Sequence, residues 1–228
     1  FVFYLIYMYL YTSMTIKIAH RGYCGKSTSN TLESINDAIK YGFDMIELDV
    51  QLDRDNQIIL YHDIHYKDKL IKDMSYAELV SKQPGIVTLS TVMRVIDYKK
   101  CKLYLDLKGS NVLAAILDRY FLENDTDTRN IWLASFNINH IHYLSNTTKK
   151  YNIGLITSNN YTMDILSDIT NKYSLSFIAF DWTMLNYNTV QFLRNKNVNV
   201  FVYTIRSTDM LKFIEPYNVD GIVSDILL

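Results

Sequence analysis

Four clusters in this sequence have residue types and spacings that could do chemistry. His20-Arg21-Gly22 sets an imidazole beside a guanidinium, and His62-Asp63 offers a second imidazole. Glu47 and Asp49 stand two residues apart, as do Asp106 and Lys108. On a strand, two such residues share one face. Carboxylates crowded into one cleft repel each other and call for a cation. Three of them converging without a thiolate suit a hard divalent ion, Mg²⁺ or Ca²⁺, on oxygen ligands. An arginine, a lysine and that ion would together seat a phosphate. Two nearby histidines could serve as acid and base near neutral pH. Each cluster alone has an ordinary reading: a solvated strand end, a salt-bridged turn, a rim charge. Their conjunction is what points to a single site. His65 reads as a loop residue, and His140 and His142 as surface or packing residues in a helix-like stretch.

The elements that must position these residues alternate. Strand-like runs at Ile16–His20, Met45–Leu52, Leu103–Lys108, Ile131–Phe136, Ile153–Thr157, Phe177–Trp182, Val200–Ile205 and Gly221–Asp225 are nearly continuous in apolar residues. Such runs fit a parallel sheet covered by helices. Helical patterns lie between them at Thr31–Tyr41, Leu89–Tyr98, Asn111–Leu122, Thr162–Tyr173, Thr189–Asn195 and Thr208–Glu215, several opening on Ser, Thr or Asn caps. Only five residues separate Met45–Leu52 from Ile58–Asp63, too few for a crossover helix, so these two should pair as an antiparallel hairpin. That leaves eight parallel strands, the number that closes an α/β (β/α)8 TIM barrel, with a small antiparallel hairpin insertion after strand two. The chemical clusters then fall at strand C-termini, where such barrels carry their sites. A doubly wound open sheet is the structural alternative, but no GxGxxG or Walker-type loop supports it.

The chain has 228 residues, of which 49% are hydrophobic and 21% charged, enough for one large core and incompatible with disorder. Its 23 basic and 24 acidic residues leave a net charge of −1, which argues against general nucleic-acid binding. Two cysteines, Cys24 and Cys101, make neither a disulfide framework nor a zinc cluster, and they favour a reducing cytoplasm. Residues 1–13 (FVFYLIYMYLYTS) are apolar and uncharged, too short to span a bilayer and without the basic start of a secretory signal. They read as an extension outside the fold, with a membrane-surface anchor or a packed helix as alternatives. Residues 14–228 read as the barrel.

The ordered set of motifs resembles the glycerophosphodiester phosphodiesterase family. The likeness runs from IAHRG through a PENT-like turn to IELDV and ILYHD, then LYLDLKG, WLASF, FVYTIR and VDGIVSD, covering Thr15 to Asp225. The resemblance implies a (β/α)8 barrel with a divalent metal, hydrolysing glycerophosphodiesters to glycerol 3-phosphate and an alcohol. Carried over residue by residue, it implies Glu47, Asp49 and Asp106 as metal ligands and His20 and His62 as the acid/base pair. It implies Arg21 and Lys108 as phosphate contacts and Phe136 and Tyr203 as pocket lining.

Departures from that pattern bear on activity. The PENT turn reads Thr28-Ser29-Asn30-Thr31, so Ser29 replaces a glutamate and removes a charge expected near the site. Asp106 replaces a longer glutamate, Tyr203 a tryptophan with Arg206 close behind, and Ser224-Asp225 a Thr-Asp. Competing functions are a lysophospholipase D- or phospholipase C-like lipase acting on lysolipid, a non-catalytic phosphate- or metal-binding barrel, and an interaction protein. Residues 1–13 would give the lipase its membrane contact. The Tyr66–Pro84 stretch carries no readable pattern.

Overall fold

Eight of the apolar runs pair in parallel and close on themselves in the computed structural model, which describes residues 15–228 apart from Lys26 and Lys99. The elements are β1 (Ile16–Ala19), α1 (Leu32–Lys40), β2 (Met45–Leu52), β3 (Ile58–Leu60), β4 (His65–Tyr66), β5 (Lys69–Leu70), α2 (Tyr76–Lys82), α3 (Leu89–Val95) and β6 (Lys102–Leu107). Then follow α4 (Leu113–Glu123), β7 (Ile131–Ser135), α5 (Ile138–Ser145), β8 (Asn152–Thr157), α6 (Met163–Lys172), β9 (Phe177–Asp181), α7 (Tyr187–Asn195), β10 (Asn199–Ile205), α8 (Thr208–Ile214) and β11 (Gly221–Ser224). β1 pairs with both β2 and β11, which shuts the barrel. β3 adds to β2 antiparallel, as the short linker requires. The expected extension at 1–13 lies outside the described residues.

Period-two alternation divides the core in two. One side of each strand faces the helices, where Ile46, Leu48, Leu103, Leu105, Leu133 and their neighbours pack. The other side fills the barrel with Tyr104, Trp132, Phe177, Phe201 and smaller residues. Ring centroids of Phe177 and Phe201 are 4.6 Å apart, and a Cβ on Gly154 would stand 2.1 Å from Phe177. A glycine at 154 is therefore the condition for an aromatic plug of this size. That plug is the floor on which the site rests.

Expected strands overran by a residue or so. His20, Lys108, Phe136, Trp182 and Asp225 lie just past the strand ends, where the backbone turns away at the barrel mouth. The patternless stretch after Asp63 folds into β4, β5, a 3-10 turn at Ile71–Asp73 and α2, so His65 belongs to a short exposed strand and not a loop. The insertion packs Ile71, Met74, Leu79 and Ile86 against Ile59 of β3, a small apolar nucleus that ties it to the barrel sheet.

His140 resolves to packing, and His142 to the surface. The His140 ring is fully buried and ties two loops at the barrel mouth: its Nε2 is 2.8 Å from the Ser110 carbonyl and its Nδ1 2.9 Å from Ser135 Oγ. A carbonyl only accepts, so Nε2 carries the proton, while Ser135 Oγ, which donates to the Leu107 carbonyl at 2.7 Å, stands within hydrogen-bonding distance of Nδ1. Burial holds the ring below its ordinary value of 6.5, against the pull of its carbonyl partners. The folded state thus keeps His140 neutral while the unfolded chain takes a proton below pH 6.5, and this contribution to stability is lost as pH falls through that value. His140→Gln should cost about 1–3 kcal/mol at pH 8. In denaturant titrations from pH 8 to 5.5 the gap between wild type and variant should narrow; a constant gap would contradict a neutral buried ring.

Candidate active site

The site is built from the ends of β1, β2, β6 and β11. In the β2–β6 register Asp49 stands opposite Asp106, and Glu47 lies one step below on the same face. Oxygen atoms of Glu47, Asp49 and Asp106 all lie within 4.8 Å of one another, and all three residues are buried. Such a cluster survives only with compensation. Lys108 Nζ donates to Asp106 Oδ2 and lies 3.3 Å from Asp49 Oδ1. Arg21 Nε sits 3.1 Å from Asp49 Oδ2, an ion pair outside hydrogen-bonding angles.

Backbone strain delivers a further donor. Arg21 and Gly22 both adopt positive φ, at 56° and 76°, which turns the Arg21 N–H onto Glu47 Oε2 at 2.8 Å. At Gly22 any Cβ would collide with Ser34 at 2.4 Å. The turn is held from α1, whose Thr31 cap and Ser34 form a capping box while Ser34 Oγ donates to the Arg21 carbonyl at 3.0 Å. Asn30, just before that cap, clamps Asp49 twice: its Nδ2 donates to Asp49 Oδ2 at 2.8 Å, and its Oδ1 accepts from Asp49 N at 3.1 Å. The PENT-like turn therefore serves the site through Asn30, and Ser29 is not among the residues lining the cavity.

These contacts set the charges apart. Burial, then Asp49 and Asp106, push the Glu47 carboxyl well above its ordinary range. Burial likewise raises Asp106 to about 6, against Lys108. Burial would also raise Asp49, but Lys108, Arg21 and Asn30 outweigh it and hold that carboxyl low. For Lys108 burial opposes the charge, yet its carboxylate partners prevail and raise it.

The two histidines face the same cavity, of about 200 Å³. His20 Nδ1 is 2.6 Å from Asp225 Oδ1, and Asp225 Oδ2 accepts from Arg206 Nε at 3.1 Å. His62 Nδ1 is 2.7 Å from Asp63 Oδ1 at the more exposed rim. Beneath the His62 loop, buried Gln51 donates through Nε2 to the carbonyls of Tyr61 and Asp63 at 2.7 and 2.8 Å, one on each side of the histidine. Phe136 and Tyr203 line the opposite wall. All nine expected site residues thus border one cavity. Asn30, Gln51, Asp181 and Asp225 are not among the site residues expected from sequence; Asn30 stands in the PENT-like turn, Asp225 in the Ser224-Asp225 pair and Asp181 at a strand end, while nothing marks Gln51.

The donor set fits a hard divalent ion. All three carboxylates supply oxygen, and buried Asp106 Oδ1 has no hydrogen-bond partner among the described residues. Cation binding must displace protons from raised carboxyls, so Ca²⁺ or Mg²⁺ affinity should fall as pH drops through about 6. Without a cation the sign reverses for stability: the contribution of Asp106 is present below its unfolded value and lost as pH rises through about 6. Calorimetry in buffers of different protonation enthalpy should report proton release, and Asp106→Asn should weaken binding at least about tenfold. Affinity that is flat from pH 5 to 8 would refute a site of protonatable ligands.

Comparison with known proteins gives this geometry a context. The model of the glycerophosphoryl diester phosphodiesterase family matches residues 20–227. A Bacillus subtilis protein, YhdW, provisionally named a glycerophosphodiester phosphodiesterase, is 28% identical over 227 residues, covering 91% of this chain and 93% of its own. A human lysophospholipase D is 37% identical over 67 residues, 27% of this chain and 21% of that one. Among solved structures, an Oleispira antarctica phosphodiesterase in complex with the product sn-glycerol-3-phosphate superposes with a TM-score of 0.83 at 20% identity, covering 95% of each chain.

Proposed function

This chain belongs to the glycerophosphoryl diester phosphodiesterase family and is a phosphoric diester hydrolase, and we propose that it cleaves glycerophosphodiesters to glycerol 3-phosphate and an alcohol by metal-assisted acid–base catalysis between His20 and His62. The observation that carries this reading is the convergence of three carboxylates, Lys108 and both histidines on one cavity. The product bound to the Oleispira antarctica phosphodiesterase supports the same products here.

In this mechanism Glu47, Asp49 and Asp106 would hold Mg²⁺ or Ca²⁺. When bound, the ion supplies positive charge against a phosphoryl oxygen. Arg21 and Lys108 flank the phosphate and offset the charge that grows on its oxygens. Arg21 suits this task because its guanidinium is not fully used by Asp49. His20 directs Nδ1 at Asp225, which leaves Nε2 free toward the cavity to take the proton of the nucleophile, water or the substrate's own neighbouring hydroxyl, as its oxygen bonds to phosphorus. His62, oriented by Asp63, protonates the departing alkoxide. Phe136 and Tyr203 pack against the organic part of the substrate.

A second reading, a lysolipid substrate, is favoured by one feature. Ile64, Leu70, Val112, Phe136 and Ile138 lie on the mouth end of the barrel and are 39–54% exposed. Such an arc of apolar side chains could meet an acyl chain or a micelle. Among the described residues no helix is long and apolar enough to cross a membrane.

Release of glycerol 3-phosphate from soluble glycerophosphodiesters, compared with lysophospholipid micelles, separates the two readings. Activity should need Mg²⁺ or Ca²⁺, disappear in EDTA, and fall by about 10²–10⁴-fold in His20→Ala and His62→Ala. Glu47→Ala should abolish it. Turnover that persists in EDTA and in Glu47→Ala would refute the metal-assisted route, and undiminished activity in His20→Ala would refute its role in proton transfer.

A further inference from the structure

The wall of the cavity opposite the carboxylates has a character the phosphodiester chemistry does not require. Its inward residues at the ends of β7, β9 and β10 are Phe136, Asp181 and Tyr203. Asp181 and Tyr203 are register partners on neighbouring strands. Oδ1 of Asp181 accepts from Thr183 N at 2.9 Å and from Thr183 Oγ1 at 2.6 Å. Among the described residues its Oδ2 receives no hydrogen bond and no cation pairs with it.

The cations that share the cavity are committed elsewhere. Lys108 serves Asp106 and Asp49, Arg21 serves Asp49, and Arg206 serves Asp225. Asp181 is therefore the negative charge on this wall without a counter-charge. Beside it the Phe136 and Tyr203 rings meet edge to face, at 81° with centroids 5.9 Å apart. Phe136 already receives one cation, Lys108 Nζ at 5.2 Å from its centre. The Tyr203 phenol feels the carboxylate: burial first, and then Asp181, push it well above its ordinary range.

A carboxylate with a free oxygen beside two aromatic rings attracts a compact organic cation through charge and ring quadrupole together. With the phosphate seated over the three carboxylates, one of the two organic halves of a diester can reach across the cavity to this wall. We propose that Asp181, with the rings of Phe136 and Tyr203, selects diesters whose alcohol carries an ammonium group over those with a neutral or anionic alcohol. This selection rests on the phosphodiesterase reading and extends it to the leaving group. A neutral polyol can donate a hydrogen bond to the free oxygen but gains nothing from the rings, and an anionic alcohol is repelled.

The test compares kcat/KM for glycerophosphocholine with that for glycerophosphoglycerol. The wild type should favour the choline ester about tenfold or more. Asp181→Asn keeps an oxygen for Thr183 and should bring the ratio near one, and Asp181→Lys should invert it. Phe136→Leu, at a half-exposed position, should lower the ratio less than Asp181→Asn and serves if the Asp181 variants fold poorly. A wild-type ratio near one, or one unchanged by Asp181→Asn, would overturn the proposal. Equilibrium binding of the same two diesters to His20→Ala, with and without Asp181→Asn, reads the preference without turnover. If the wild type cleaves neither diester, the phosphodiesterase reading fails. A binding preference for the choline ester that Asp181→Asn removes would still carry the selection, and equal binding of both would end it.

Discussion

Three carboxylates share a buried volume at the top of an aromatic barrel, and almost everything around them answers to that repulsion. Glu47, Asp49 and Asp106 cannot all be charged without help in an interior floored by Tyr104, Trp132 and Phe177. The help comes from three directions: Lys108 from their own sheet, Arg21 from the first loop, and Asn30 from the start of α1. The left-handed backbone at Arg21 and Gly22 makes sense in this light. It spends conformational freedom to aim an N–H at Glu47. Ser34 fixes that turn from a helix whose cap it also completes, so a local capping motif and the support of the carboxylate cluster share one residue.

The barrel was legible because its strands are long, apolar and regularly spaced, and because the short linker after Leu52 forbids a crossover. The charged pairs were legible because period two places both members on one face whatever the register. What sequence could not supply was pairing across distance. Asn30 lies 19 residues from Asp49, and Asp225 lies 205 from His20. Neither relation leaves a periodic trace. Ser29 drew attention through the absence of a glutamate, while its neighbour Asn30 makes the contact. The insertion after Asp63 was opaque for another reason: its elements are two to seven residues long, below the length at which hydrophobic periodicity becomes readable.

The cavity joins two unlike halves. β1, β2, β3 and β6 bring most of the ionisable groups, and β7 to β10 bring Phe136, Ile156, Tyr203, one carboxylate and, at the end of β10, Arg206. Barrel closure alone brings them face to face, since β1 and β6 flank β2 while β10 and β11 complete the circle. The fold tolerates wide change in sequence: a structure 20% identical superposes at a TM-score of 0.83. Interior volume is the tighter constraint, as the glycine beneath Phe177 illustrates.

Gln51 grips the chain on both sides of His62 before the insertion begins, and the insertion packs its own apolar side chains on Ile59 of β3. The histidine therefore takes its position from the barrel and not from the segment that follows it. Residues between Asp63 and Thr88 are fastened instead to the β2–β3 hairpin: Arg54 N donates to the Met74 carbonyl at 2.8 Å, Tyr76 N to Asp53 Oδ2 at 2.9 Å, and Ile59 packs among Ile71, Met74 and Leu79. A change of length or polarity at the tip of that segment would alter what approaches the cavity while Gln51 keeps its hold on the backbone around His62.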